Sequence, residues 1–305
     1  MRMKKSIIAL FLAPAVIIYL AIFLYPTLRT FAMSFYNIPA LSSRIAEWKF
    51  VGLANYKDVT SSTYFIGSVK NVLGIWALGG VLIFTFAFLY AAILTSGVKG
   101  KNFWRSLIFL PNTVSAVVMS VVWLQYIYNS SFGLLTSVFN RLGLTALANI
   151  QWTDKEHIYY AMIMAFSFGS IGYFMLILNA GINRIPGDFY EVATLEGASP
   201  WTKFFKITLP LLRDVFRTTL VLWTITAFNF FVWSATFGLD DPHTVTPGYY
   251  MYQKVFGLAK GNSVLTDGGA FNVGSGASVG ILITLATLLA SALISRLFPK
   301  DRLEY

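Results

Sequence analysis

Six long apolar stretches alternate with polar segments along the chain, at about residues 6–28, 71–98, 106–128, 158–183, 218–239 and 277–295. Each is long enough to cross a bilayer as a helix, which takes about 20 apolar residues with few or no charges. Each also outruns the apolar run of an ordinary buried helix in a soluble core. Pro14, Pro26 and Pro111 fall inside these stretches or at their edges. They do not exclude spans, because membrane helices tolerate proline better than soluble ones. The pattern predicts an all-α, polytopic fold with six transmembrane helices. With no repeated block and no low-complexity linker, one membrane domain over 1–305 is the simplest organisation. Arg2, Lys4 and Lys5 precede the first apolar run as in a secretory signal. That run continues past the small residues Ala13 and Ala15, so it reads as an uncleaved first span.

Composition supports lipid as the solvent. The chain is 56% hydrophobic and only 12% charged, about half the charged fraction of a soluble domain. Its net charge of +10 would suit nucleic acid in a soluble protein. In a membrane protein the same excess belongs to cytoplasmic loops facing anionic headgroups, so no nucleic-acid partner is expected. The absence of cysteine excludes disulfides, thiol catalysis and thiolate metal sites. Lysine and arginine are denser in the N-terminal tip, 97–105, 184–217 and 296–305 than in the intervening loops, which places both termini in the cytoplasm. Arg29, at the outer end of the first span, can snorkel to the interface.

The loop 184–217 is long for an inner loop and carries helix punctuation at each joint. Asp188 can cap a first short helix, with Glu191 in its first turn, where the helix dipole favours acid. Gly197 suits the position after that helix, and Ser199 with Pro200 suits the start of a second. Phe189, Val192, Ala193 and Leu195 give the first helix an apolar side. Trp201, Phe204, Phe205 and Leu209 do the same for the second. Two amphipathic helices meeting at a glycine can plug into a groove on a cytoplasmic partner, or lie on the inner leaflet.

These residues also carry a resemblance. Glu191-Val192-Ala193, three residues, Gly197-Ala198, and then Ile207 and Pro210 beyond nine residues from the glycine resemble the EAA motif of ABC importer permeases. The spacing is kept; Val192 stands where alanine is usual and Glu196 where aspartate is common. Leu24-Tyr25-Pro26 with Ser34-Phe35, the run from Phe50 to Tyr56, the run from Phe103 to Pro111, and Phe132 to Leu135 are similar to the sugar permeases, the group that includes the maltose and glycerol-3-phosphate permeases. The resemblance implies a compact permease subunit in a prokaryotic cell membrane. It implies a second permease, two ATP-binding subunits docked on the loop, and an extracytoplasmic binding protein that delivers a sugar or oligosaccharide, with glycerol-3-phosphate or another polyol derivative as the alternative cargo. Glu191, Ala193, Gly197, Ala198, Ile207 and Pro210 would then couple to the ATPase. The chain lacks the Gly-Lys-Ser/Thr ending of a phosphate-binding loop, including in the glycine-rich run from Asp267 to Gly276. No cofactor is therefore expected in this chain: ATP and magnesium would sit on the partner ATPase subunits.

The resemblance places cargo contacts on the helices before and after the loop. The matching stretches hold Ser170 and Tyr173, then Trp223, Thr226, Asn229 and Phe230. Aromatic faces and amides are what a sugar needs, and residues 223, 226 and 230 are expected to share a helix face. Ordinary helix packing is the competing role for the three aromatics. His157 and His243 stand at span edges or in loops and read as solvated, not as metal ligands. An ion-coupled carrier would show an ionisable residue buried mid-span. A membrane enzyme would show a cluster of His, Asp, Glu or Ser. Neither pattern is present in the six spans.

Overall fold

The computed structural model describes residues 5–238, 241–257 and 272–298. Arg2, Lys4, Lys300 and Arg302, both chain ends, and the run Asp267–Phe271 before the last apolar helix lie outside the described residues. Among the described residues the long apolar helices are α1 (Leu10–Met33), α2 (Thr63–Thr95), a bent pair α3 (Lys101–Thr113) and α4 (Ala116–Ile127), α5 (Ile158–Ile182), then α8 (Arg213–Phe237) and α9 (Val273–Leu297). Two short helices, α6 (Asp188–Leu195) and α7 (Pro200–Lys203), occupy the loop between α5 and α8. The helices fall where the apolar stretches do, with two differences. Helix α8 is interrupted between Phe228 and Val232. The third span is not one straight rod: α3 and α4 meet at 95°. Val114 and Ser115 are extended there, with ψ of 136° and 139°, three residues beyond Pro111, which donates no backbone hydrogen bond. Apolarity reads through such a break, so hydropathy alone cannot show it.

The chain divides into two compact units, one of Met1–Ile66 with Tyr250–Thr284, the other of Gly67–Tyr249 with Leu285–Tyr305. In the first, a two-stranded antiparallel ladder pairs β1 (Tyr36–Asn37) with β2 (Lys49–Phe50). Buried Asn55 organises this unit. Its amide donates to the Ser34 and Tyr36 carbonyls, each at 2.9 Å. Its Oδ1 accepts from Asn272 Nδ2 at 2.9 Å and Ser275 Oγ at 3.2 Å. One asparagine thus satisfies loop carbonyls that would otherwise be orphaned and ties them to the start of α9. The most apolar window of α1 has none of its residues buried by the chain.

In the second unit α5 is the central helix, with 67% of its apolar window buried. Trp223 of α8 is fully buried. Its ring stacks on Phe166 at 5.8 Å and meets the edge of Phe174 at 5.9 Å. Its indole N–H donates to the Trp76 carbonyl at 3.0 Å, while Trp76 Nε1 donates to Thr224 Oγ1 at 3.0 Å. Gly79 and Gly80 of α2 make the space: a Cβ at Gly80 would lie 2.8 Å from Trp223 Nε1. Small residues that admit a large neighbour are how helices associate in lipid, where there is little hydrophobic drive. A second close crossing joins α5 to α3, where a Cβ at Gly172 would overlap the Ile108 carbonyl and come within 2.7 Å of Phe109 Cα.

That crossing gives a test. The obstacle at Gly172 is backbone and cannot swing away, whereas a Cβ at Gly169 would meet only Trp233 at 3.9 Å. Gly172→Ala is expected to destabilise the protein by about 1–3 kcal/mol through overpacking, and Gly169→Ala to leave it unchanged. Thermal unfolding in detergent measures both, and equal melting temperatures for the two variants would contradict the crossing.

Candidate functional site

The loop between α5 and α8 is built from its punctuation. Helix α6 begins at Asp188 behind Gly187, with Asp188 and Glu191 in its first turn and no side-chain cap. Asp188 is therefore the first helical residue and not the cap that its type suggested; it still places a carboxylate at the positive end of the helix. At the other end Gly197 has φ of +72°. The Gly197 N–H donates to the Thr194 carbonyl at 3.0 Å and the Ala198 N–H to the Ala193 carbonyl at 2.9 Å. These two bonds are the Schellman pair that closes a helix on a left-handed residue. Ser199 then caps the next helix, its Oγ accepting from the Thr202 N–H at 3.2 Å, and Pro200 takes the first position. Helix α7 runs on through a wider π turn at Phe204–Thr208 and a last turn at Leu209–Leu211. Ile207 lies in that π turn and Pro210 in the last turn.

Two cross-braces hold the pair of helices. Tyr190 Oη and Thr208 Oγ1 are 2.9 Å apart, and Lys203 Nζ donates to Thr194 Oγ1 at 2.7 Å. Sequence reasoning missed these partners, because residues 9 and 18 positions apart across a bend carry no periodic signal. The outward surface is apolar: Leu195 is 87% exposed and Trp201 69%, with Val192, Phe205 and Phe189 also exposed. Trp201 stacks on Phe205 with rings 20° from parallel. Glu191 is exposed as well. The root of the loop is anchored too. Arg105 of α3 donates from Nη2 to Asn179 Oδ1 at 2.9 Å, and Asn183 Nδ2 donates to the same oxygen at 3.1 Å. Two asparagines four apart at the end of an apolar helix were a legible signal for this anchor.

The expected cargo residues do not form one surface. Trp223 and Phe230 are buried in the helix core, Phe230 edge-on to Phe166 at 4.9 Å. Thr226 and Asn229 are exposed and bond back to their own helix, to the Leu222 carbonyl at 2.9 Å and the Ile225 carbonyl at 2.8 Å. Each residue advances about 100° around a helix. Trp223 and Ala227 lie within about 40° of each other, and Thr226 is turned about 60° away from Trp223 on the other side. The regular helix ends at Phe228, so Asn229 and Phe230 sit where the chain leaves it. The boundary between packing and exposure falls between Trp223 and Thr226. On α5 Tyr173 is exposed and Ser170 half-buried. His157 pairs with Asp154 at 2.8 Å and His243 with Asp241 at 2.7 Å. The hydrogen bond from His157 holds the Asp154 carboxyl below its ordinary range. Among the described residues no group of three or more His, Cys, Asp or Glu converges.

The left-handed turn is testable without any partner. A Cβ at Gly197 would meet nothing within 4 Å, so the cost of replacement is conformational, about 1–2 kcal/mol for a residue forced left-handed. Gly197→Leu is expected to speed hydrogen exchange at residues 197 and 198, and Gly197→Asn to do so less, since asparagine visits this region. Equal exchange in the two variants and the parent would contradict a strained turn.

Residues 83–302 match the family model of the binding-protein-dependent transport system inner membrane component. The chain is 29% identical over 299 residues to AraP, an arabinooligosaccharides transport system permease protein of Bacillus subtilis, covering 96% of this chain and 89% of that one. It is 30% identical over 223 residues to MalF, a trehalose/maltose transport system permease protein of Thermococcus litoralis, covering 73% of each. Its fold is similar to a crystal structure of a bacterial ABC transporter involved in import of the acidic polysaccharide alginate, with a TM-score of 0.76 over 97% of each chain at 20% identity. With a family match over most of its length and five to six membrane-length helices among the described residues, the chain belongs to the family of binding-protein-dependent transport system inner membrane components and is a multi-pass membrane protein.

Proposed function

We propose that this chain is the permease subunit of an ABC importer that moves a neutral sugar or oligosaccharide into a prokaryotic cell. The observation that carries the reading is the loop 184–217. A rigid, braced helix pair with exposed Leu195 and Trp201 sits at the end of a bundle of apolar helices, which is the shape of a docking knob. Separate ATPase subunits, two per complex, bind ATP and magnesium; this chain hydrolyses nothing. Glu191, Ala193, Gly197, Ala198, Ile207 and Pro210 form the docking region. A second permease pairs with this one, and the uncovered α1 meets it or lipid. An extracytoplasmic binding protein delivers cargo. The similar proteins named for arabinooligosaccharides and for trehalose and maltose support a sugar as that cargo. Its path is assigned to Ser170, Tyr173, Thr226 and Asn229, while Trp223 and Phe230 pack the bundle behind them.

The experiment is uptake of labelled maltose, trehalose and an arabino-oligosaccharide by proteoliposomes holding the assembled complex. Uptake of at least one, dependent on ATP and on the binding protein, is expected. Asn229→Ala is expected to slow it roughly fivefold, the worth of one hydrogen bond, with ATPase assembly intact. Trp223→Ala is expected to lower thermal stability instead. Gly197→Leu is expected to cut cargo-stimulated ATP hydrolysis while the membrane helices stay folded. ATP hydrolysis by the partner-free chain, or no sugar taken up at all, would overturn the proposal.

Orientation has its own test. The chain has no cysteine, so single substitutions report cleanly. Glu196→Cys is expected to react with a membrane-impermeant maleimide only from the cytoplasmic side, and Ser42→Cys only from outside. The reverse pattern would invert the topology.

A further inference from the structure

Behind the docking pair lies a cavity of about 580 Å³, within the range of about 300–1,000 Å³ that small-molecule sites occupy. One wall is made by the last turns of α2 and α5, through Thr95, Ser96 and Asn183. The other is made by the loop, through Tyr190, Lys203 and Thr208. We propose that this cavity is a second sugar site, facing the cytoplasm, through which the imported product restrains the loop. The proposal rests on the loop being cytoplasmic and the cargo being a sugar.

The lining chemistry selects the ligand class. Thr95 Oγ1 and Ser96 Oγ donate to carbonyls of their own helix, at 2.9 Å to Ala91 and 2.8 Å to Ile93. Their remaining lone pairs are acceptors. Asn183 donates its Nδ2 to the Asn179 carbonyl at 2.8 Å, which leaves its Oδ1 as an acceptor as well. Lys203 spends one N–H on Thr194 and has two more. Phe204, which also lines the cavity, offers an aromatic surface for C–H groups. Helices α2 and α5 both end here, at Thr95 and Ile182, and helix C-termini carry partial negative charge. A phosphate would bring acceptors to a wall of acceptors beside two negative helix ends, with a single ammonium in its favour. A cation would meet that ammonium. A neutral polyol donates to the acceptors, accepts from Lys203 and lays its apolar face on Phe204.

The site joins two bodies that must move relative to each other if the loop transmits ATP-driven motion. A sugar bound across it fixes the loop to the ends of α2 and α5, and so slows the stimulated cycle when product accumulates. The test uses proteoliposomes with the ATPase side facing the bath, and with binding protein and transported sugar trapped inside. Adding that sugar to the bath at millimolar concentration is expected to lower stimulated ATP hydrolysis roughly fivefold, the low end of ordinary coupling between sites. Thr95→Val with Ser96→Ala keeps the shape and removes two acceptors. Ala92→Phe fills the space from the cavity wall. Both are expected to hydrolyse ATP normally without bath sugar and to resist the inhibition. If Ala92→Phe fails to fold, the double variant alone decides. Unchanged hydrolysis in the parent, with uptake intact, would overturn the second site while leaving the permease reading in place. Inhibition by glucose 6-phosphate and not by neutral sugars would overturn the ligand class. Inhibition that persists in the variants would overturn the location.

Discussion

The packing of the second unit depends on one close fit, Trp223 of α8 seated against Gly79 and Gly80 of α2 and stacked on Phe166 of α5. In water such a side chain would be driven inward by its apolar area. In lipid that drive is weak, and what remains is contact and hydrogen bonding. The indole supplies both. Its faces and edges meet Phe166 and Phe174, and its N–H reaches the Trp76 carbonyl. The glycine pair is the complementary half of the fit, because a Cβ at Gly80 would crowd the indole nitrogen at 2.8 Å. Three helices are thereby held by one side chain, and α5, which touches it through Phe166 and Phe174, becomes the axis of the unit.

That fixed axis gives the loop a firm root. Helix α5 ends at Ile182, and Asn179 and Asn183 in its last turns are held to α3 through Arg105. Six residues later α6 begins. The loop is then rigid by its own local chemistry: a left-handed glycine, a serine cap, and the Tyr190–Thr208 and Lys203–Thr194 braces. A loop rigid within itself and anchored at its root can carry force, and its exposed Leu195 and Trp201 present the surface on which a partner would push. The same rigidity encloses the cavity between loop and helix ends, so a small molecule there would act on the joint and not on the cargo path.

The division between packing and exposure along α8 follows from the seat of Trp223. Once that ring is buried, Ala227 follows it into the core on the same stripe, and Phe230 is buried just past the end of the regular helix at Phe228. Thr226 and Asn229 are exposed, and each donates one hydrogen bond back to its own backbone. Asn229 keeps its Oδ1 and a second N–H for another partner.

The amino-acid sequence by itself determined the solvent, the all-α class, the rough positions of the apolar helices and the joints of the loop. These are local or compositional matters. Bilayer thickness fixes the length of an apolar run, and only glycine fits easily where Gly197 turns left-handed. A serine before Pro200 caps whatever surrounds it. Only the tertiary structure decided which face of α8 is core, that the third span bends by 95°, that Arg105 meets Asn179, and that a cavity stands behind the loop. Trp223 and Asn229 look equally suited to a sugar when read as residue types. What separates them is whether a glycine pair far away in the chain faces one of them, and helical periodicity carries no information about a neighbouring helix.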